Sequence, residues 1–156
     1  MDLSIITVTW NSADLIGEQI KSVTTGCKNI SFEQFVVDNA STDKTTEIIA
    51  NEFSEIKLIK NDKNTGFAFP NNQAAKLAQG EFLLFLNPDM RVEEGSLDKM
   101  VEWMRNHRDV GLASCKLVDE QGNLNVNALP RRFPTVWDQV AIILKLPHLF
   151  PNIVSR

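Results

Sequence analysis

Cysteine is scarce in this 156-residue chain, positive charge is in deficit, and no apolar run is long enough to span a bilayer. Cys27 and Cys115 lie in hydrophobic stretches without CxxC or zinc-like spacing, so both read as reduced core thiols rather than a disulfide framework or metal site. Sixteen basic residues against 20 acidic ones give a formal net charge of -4, which argues against a nucleic-acid partner. The opening Met1–Ile6 has no basic segment or long apolar stretch and does not read as a signal peptide. The apolar stretch Val140–Phe150 falls short of the roughly 18 residues of a membrane span and is interrupted by Pro147. It reads as a buried or partner-covered helix, with peripheral membrane contact as the alternative. What remains is a chain of one-domain size, 43% hydrophobic, able to bury a real core.

Strand-like and amphipathic stretches alternate along it. Leu3–Thr9 is rich in β-branched residues and reads as a buried strand; Leu15, Ile16, Ile20 and Val23 then recur at helical spacing up to Gly26. Phe32–Val37 reads as a second strand, ending at Asp38. Ser41-Thr42-Asp43 opens a second helix carrying Ile48, Ile49 and Phe53, and Ile56–Ile59 is a third strand. A helix is expected over Asn71–Ala78, broken by Gly80, then a fourth strand at Phe82–Leu86 and a helix over Glu93–Asn106. Val110–Val118 is expected as a fifth strand, followed by a turn at Asp119–Asn123, a short strand at Leu124–Val126, a loop over Pro130–Pro134 and a helix over Thr135–Leu146. Such alternation with fully apolar strands implies a mostly parallel α/β sheet with helices on both faces.

In an open sheet of this kind, ligands bind outside the carboxyl ends of the strands. Strand one ends in Val8-Thr9-Trp10-Asn11, strand two in Asp38-Asn39, and strand four in Asn87-Pro88-Asp89. Asp38 has two readings: a turn and helix cap, or an acceptor for the imide N–H of a pyrimidine. Trp10 is equally a core aromatic or the flat wall of a base site. After Pro88, which stops the ladder, Asp89 projects outward; it either caps a turn or holds Mg²⁺ or Mn²⁺. Between strands three and four, Asn64 and Gly66 form a loop, and Asn71-Asn72 stand at the expected helix start, where amides suit a ribose or phosphate.

Four ordered stretches, IITVTWNSADLI, VVDNASTDKT, NTGFAFPNNQA and FLLFLNPDM, together resemble the inverting nucleotide-sugar glycosyltransferases of family 2, which have the GT-A (Rossmann-like) fold. The Asn-Pro-Asp form resembles the rhamnosyltransferase-like branch. The resemblance implies a three-layer α/β/α fold, with residues 1–128 as nucleotide-sugar-binding core and 129–156 as the start of a truncated acceptor-side region. It implies that Val8, Thr9 and Trp10 line the base pocket, that Asp38 bonds the pyrimidine, and that Asn64, Gly66 and Asn72 shape the donor site. Asp89 would bind the divalent cation; Asn87 stands where the family's motif has its first acid, and would touch the donor instead. The implied donor is UDP- or dTDP-linked, and the acceptor a glycan or lipid-linked hydroxyl. The implied setting is the cytoplasm or the inner face of the membrane, in cell-surface polysaccharide synthesis. A homo-oligomer is one way to cover the apolar tail after Pro134.

One departure weighs on the reading. Inverting transfer needs a carboxylate general base on the acceptor side, and no matching motif follows Asp119-Glu120; Asp138 stands alone and Arg131-Arg132 reads as a solvated pair. The expectation is therefore the donor-binding half of a longer enzyme, inactive as this piece. Two alternatives are a nucleotide-binding module that does not catalyse, and a phospho-acceptor receiver domain with Asp38 as acceptor and Lys116 ending strand five. The receiver lacks its acidic pair after strand one.

Overall fold

The computed structural model describes residues 1–119, 121–124 and 136–145. The chain forms two compact units, residues 1–113 and 114–156. The first holds β1 (Leu3–Thr9), α1 (Ala13–Gly26), β2 (Phe32–Asp38), α2 (Thr45–Glu52), β3 (Lys57–Lys60), α3 (Ala68–Ala75), β4 (Phe82–Phe85) and α4 (Ser96–Asn106). The strands form one parallel sheet in the order β3-β2-β1-β4, so the chain winds outward from β1 in one direction and then crosses back to its other side.

Alternation along the two central strands divides the core. Leu3 and Ile5 of β1 pack with Val23 of α1 and with Leu97 and Val101 of α4. Val36 of β2 packs with Ile16, Ile20, Ile49 and Phe53, which places α1, α2 and α4 on one face. Ile6, Phe35 and Val37 point the other way, onto Ala74 of α3. Helices thus cover both faces, as the apolar, β-branched strands require. Each fully buried isoleucine contributes about 2 kcal/mol of transfer free energy. Two buried amides share the α1 face: Gln34 Nε2 donates to Gln19 Oε1 at 3.1 Å, and Gln19 Nε2 to Thr7 Oγ1 at 3.1 Å. This chain of bonds satisfies polar groups inside the core and fixes the rotation of α1 over the sheet.

At the amino ends of the strands a buried carboxylate organises the other face. Glu33 accepts from Ser4 Oγ at 2.6 Å, the Gln79 N–H at 2.7 Å and Lys57 Nζ at 2.5 Å. Gly80 N–H donates to Ser4 Oγ at 2.8 Å, and a Cβ on Gly80 would meet Ser4 N at 2.4 Å. Gly80 is therefore required by the close approach to β1 and does not serve as a helix stop.

Several expectations are corrected. Val110–Val118 is not a strand: only an isolated antiparallel bridge joins Val118 to Leu124, and Lys116 ends no strand. Gly, Ala and Ser fill the middle of that stretch, and its two β-branched residues, Val110 and Val118 at its ends, cannot hold it in a sheet alone; it also straddles the boundary between the units. The third helix begins at Ala68, not Asn71, because Pro70 sits in its first turn, where a missing N–H breaks nothing. The fourth begins at Ser96, since Gly95 has φ +66°. Cys27 is buried and its thiol is pushed up to about 12 by desolvation, as a core thiol should be, but Cys115 is exposed.

In the second unit, Asp119 Oδ1 accepts from Gln121 N and Asn123 N at 3.0 and 2.8 Å, with Gly122 at φ +80°, which makes the expected turn. α5 (Val136–Ile143) lies where a helix was expected. Val126, the Pro130–Pro134 loop with Arg131-Arg132, and the side chain of Asp138 fall outside the described residues. No helix among the described residues is long and apolar enough to cross a membrane.

Candidate functional site

The carboxyl ends of β1, β2 and β4 and the β3–α3 loop lie along one edge of the parallel sheet. Thr9 and Asp38 are register partners on β1 and β2, so their side chains share a face. Both are buried, at 0% and 3% exposure. Asp38 Oδ2 accepts the Ser41 N–H at 3.0 Å, which is the capping role. Its Oδ1 and the Thr9 Oγ1 have no hydrogen-bond partner among the described residues. A buried polar atom left unpaired costs about 1–3 kcal/mol, so two of them side by side mark a surface made for something else. Trp10 follows with 56% exposure, which removes its reading as a core aromatic and leaves a flat ring at the edge. Val8 points to the opposite face, with the cluster beneath α3.

The turn after β2 is held in an uncommon shape. Ala40 has φ +66° and Asn11, facing it from the β1–α1 connection, φ +51°. Asn11 N–H donates to Ser41 Oγ at 2.8 Å and Thr42 N–H to Asn11 Oδ1 at 2.8 Å, so the two turns lock together. Asp43 adds bonds from Ala13 N–H at 3.1 Å and from Thr45 N–H and Oγ at 3.0 and 2.5 Å. Burial pushes the Asp43 carboxyl up, but these donors hold it below the usual carboxylate range. Ser12 does not cap α1 with its side chain; its N–H donates to Thr45 Oγ1 at 2.8 Å.

Asn39, absent from the sequence-based candidates, is 3% exposed beneath the β3–α3 loop, where Asn64 and Gly66 lie. Its only sequence signal is its place immediately after the strand-ending Asp38. Asn72, expected at a helix start, instead lies exposed in the middle of α3, while Asn71 is buried and donates to the Phe67 carbonyl at 2.8 Å. Asn87 and Asp89 are both exposed beyond β4, in a turn closed by Met90 N–H on the Asn87 carbonyl at 3.2 Å. The loop after them is fastened to α1: Val92 N–H donates to Ser22 Oγ at 3.1 Å, and Arg91 pairs with Glu18. Among the described residues, no three His, Cys, Asp or Glu side chains gather as a metal cluster.

A pocket of about 350 Å³ opens at the other end of the strands, lined by Asn29, Asp98, Glu102 and Arg105 among others. Two of its charged groups are already engaged: Asp98 accepts from the Lys28 and Asn29 backbone, and Arg105 pairs with Asp2 and Glu81. The unpaired buried oxygens lie instead at the carboxyl edge.

A parallel α/β sheet with unpaired buried acceptors and an exposed aromatic at its carboxyl edge defines a ligand-binding domain of the Rossmann-like class. Residues 4–152 match the model of glycosyl transferase family 2, and the chain belongs to that family. It is similar to the O-antigen biosynthesis protein RfbC of Myxococcus xanthus, 34% identical over 78% of this chain and 10% of that one. It is also similar to the poly(ribitol-phosphate) β-N-acetylglucosaminyltransferase TarS of Staphylococcus aureus, 32% identical over 78% of this chain and 22% of that one. The solved structure of that TarS in complex with UDP covers 69% of this chain and 33% of its own at 31% identity, with a TM-score of 0.63. A mannosyltransferase from Pyrobaculum calidifontis in complex with GDP-Man and Mn²⁺ covers 65% of this chain and 32% of its own at 26% identity, with a TM-score of 0.59. The chain thus spans from a tenth to about half of the length of the first curated relatives it matches. Membership of this family displaces the receiver-domain reading.

Proposed function

We propose that this chain is the donor-binding part of a glycosyltransferase that moves a sugar from a nucleoside-diphosphate sugar to a hydroxyl acceptor with inversion, in the synthesis of a surface polysaccharide. The observation that carries it is the pair of unpartnered buried atoms, Thr9 Oγ1 and Asp38 Oδ1. An imide N–H donates to a carboxylate oxygen, and a hydroxyl serves an adjacent carbonyl, so the pair matches uracil or thymine. The Trp10 ring offers the stacking surface.

In the complete enzyme a carboxylate takes the proton of the acceptor hydroxyl as its oxygen attacks the anomeric carbon. The bond to the diphosphate oxygen breaks on the opposite side, which inverts the centre. None of the described residues is assigned as that base, and this chain by itself is expected to be without transfer activity. The work of this chain is to bind and orient the donor. Asp89 and the Asn87 amide oxygen fit Mg²⁺ or Mn²⁺, because such cations accept one or two protein oxygens and take the rest from phosphates and water. A bound cation would supply charge neutralisation at the leaving diphosphate. Residues 129–156 belong, in this reading, to the acceptor side. The acceptor is a glycan or lipid-linked hydroxyl, reached from the cytoplasm or the inner membrane face.

The test is calorimetry of UDP and dTDP against this chain with and without Mn²⁺. Binding of a pyrimidine diphosphate, strengthened by the metal, is expected; no binding of either nucleotide would remove the reading.

A further inference from the structure

Asn39 spends every side-chain hydrogen-bonding position on protein. Its Nδ2 donates to Asn64 Oδ1 and to the Gly66 carbonyl, both at 2.9 Å. Its Oδ1 accepts from Thr65 N–H at 3.1 Å and Thr65 Oγ1 at 3.2 Å. Its own N–H donates to the Thr9 carbonyl at 2.8 Å. The amide orientation is dictated by backbone: the Gly66 carbonyl only accepts and the Thr65 N–H only donates, so Nδ2 and Oδ1 cannot exchange places. Asn64 is fixed the same way, since its Oδ1 also accepts the Gly66 N–H at 2.9 Å. Through its backbone N–H and its buried carboxamide, Asn39 therefore joins three separate segments: the end of β1, the end of β2 and the loop before α3.

That loop has little else to define it. Asn64 and Gly66 are exposed, and Gly66 takes φ +79° with no heavy atom within 4 Å of where a Cβ would stand. Its shape follows from the bonds beneath it rather than from packing above it. We infer that Asn39 is a positioning residue of the donor site: it holds the 64–66 loop at a fixed distance from Thr9 and Asp38, and so pre-forms the wall opposite the base without touching the nucleotide. The inference rests on the donor-site reading above and deepens it. Asn39 is suited to this because only an amide offers two donors and two acceptor sites on one short side chain; aspartate keeps the volume but turns both donor bonds into contacts between oxygens.

The experiment combines calorimetry of UDP and dTDP with hydrogen exchange of the Thr65 and Gly66 amides, on wild type, Asn39→Ala and Asn39→Asp. In the wild type, nucleotide binding is expected to slow exchange at Thr65 and Gly66. Both variants are expected to weaken the nucleotide about tenfold, with faster Gly66 exchange. Strands β1 and β2 should remain protected. Comparing the two variants separates the broken tie from the added charge of aspartate. Weakening in Asn39→Asp alone, or undiminished affinity in Asn39→Ala with Gly66 exchange raised, would overturn the inference. Should neither variant fold, the wild-type arm decides: nucleotide binding that leaves residues 65 and 66 unchanged overturns it. Failure of the wild type to bind either nucleotide removes the donor-site reading and this inference together.

Discussion

Thr9 and Asp38 stand side by side at the carboxyl ends of β1 and β2, each burying an oxygen that no other group among the described residues satisfies. A folded protein that keeps two such groups adjacent sacrifices stability at that point, and a ligand that satisfied them would compensate. Thr9→Val keeps the shape and removes the unpaired hydroxyl. It is expected to raise stability by about 1 kcal/mol while weakening UDP or dTDP. Urea melts and calorimetry on the same sample measure both; a destabilised Thr9→Val would mean that the hydroxyl is satisfied in the free protein.

Ala40 carries a second local strain at the same edge, with φ +66°. The left-handed region costs a residue with a Cβ about 1 kcal/mol, and glycine occupies it freely. Ala40→Gly is expected to raise the urea midpoint by an amount worth about 0.5–1 kcal/mol. A lower midpoint would show that the alanine methyl packs favourably and that the turn is not strained.

Glu33 sets the response to acid. Burial pushes its carboxyl up, but Lys57, Ser4 and the Gln79 N–H outweigh that and hold it below the ordinary 4.5. A folded value below the unfolded one means that the stabilisation is fully present above the unfolded value. It is lost as pH falls through the folded one. Urea midpoints should therefore decline below about pH 4.5, and Glu33→Gln should flatten that decline at the expense of stability at neutral pH. An unchanged slope in Glu33→Gln would assign the acid response to other carboxylates.

Asp89 and Asn87 are expected to divide the metal response. Asp89→Ala should abolish the strengthening of nucleotide binding by Mn²⁺. Asn87→Asp, which adds a charged ligand, should tighten the metal-dependent part about tenfold. Titrating Mn²⁺ at saturating nucleotide checks both, and indifference of the metal response to Asp89→Ala would return that residue to a turn-capping role.

The strands were readable from sequence because strands buried on both faces favour β-branched and aromatic residues: Leu3–Thr9 is rich in the first, and Phe35-Val36-Val37 gives Phe32–Asp38 its apolar segment despite Glu33 and Gln34. The same logic misplaced Val110–Val118, whose apolar character comes without β-branched residues in its middle or a neighbouring strand to bond. The third helix, expected from Asn71, begins earlier at Ala68, with Pro70 inside its first turn. Asp38 and Asp89 were visible because an acid at the abrupt end of an apolar run is unusual. Asn39 was not, since an asparagine in a turn is ordinary, and its importance lies in contacts 25–27 residues away that no local pattern encodes. The buried Gln19–Gln34 pair was invisible for the same reason.

The most direct test of the central claim is calorimetry of UDP and CDP against wild type and Asp38→Asn. Uracil presents an imide N–H to the free Asp38 oxygen, whereas cytosine presents a ring nitrogen that can only accept. Wild type should bind UDP at least about tenfold more tightly than CDP, and Asp38→Asn should erase most of that preference. Equal binding of UDP and CDP by wild type, or a preference unchanged in Asp38→Asn, would contradict the assignment of this edge of the sheet as a pyrimidine site.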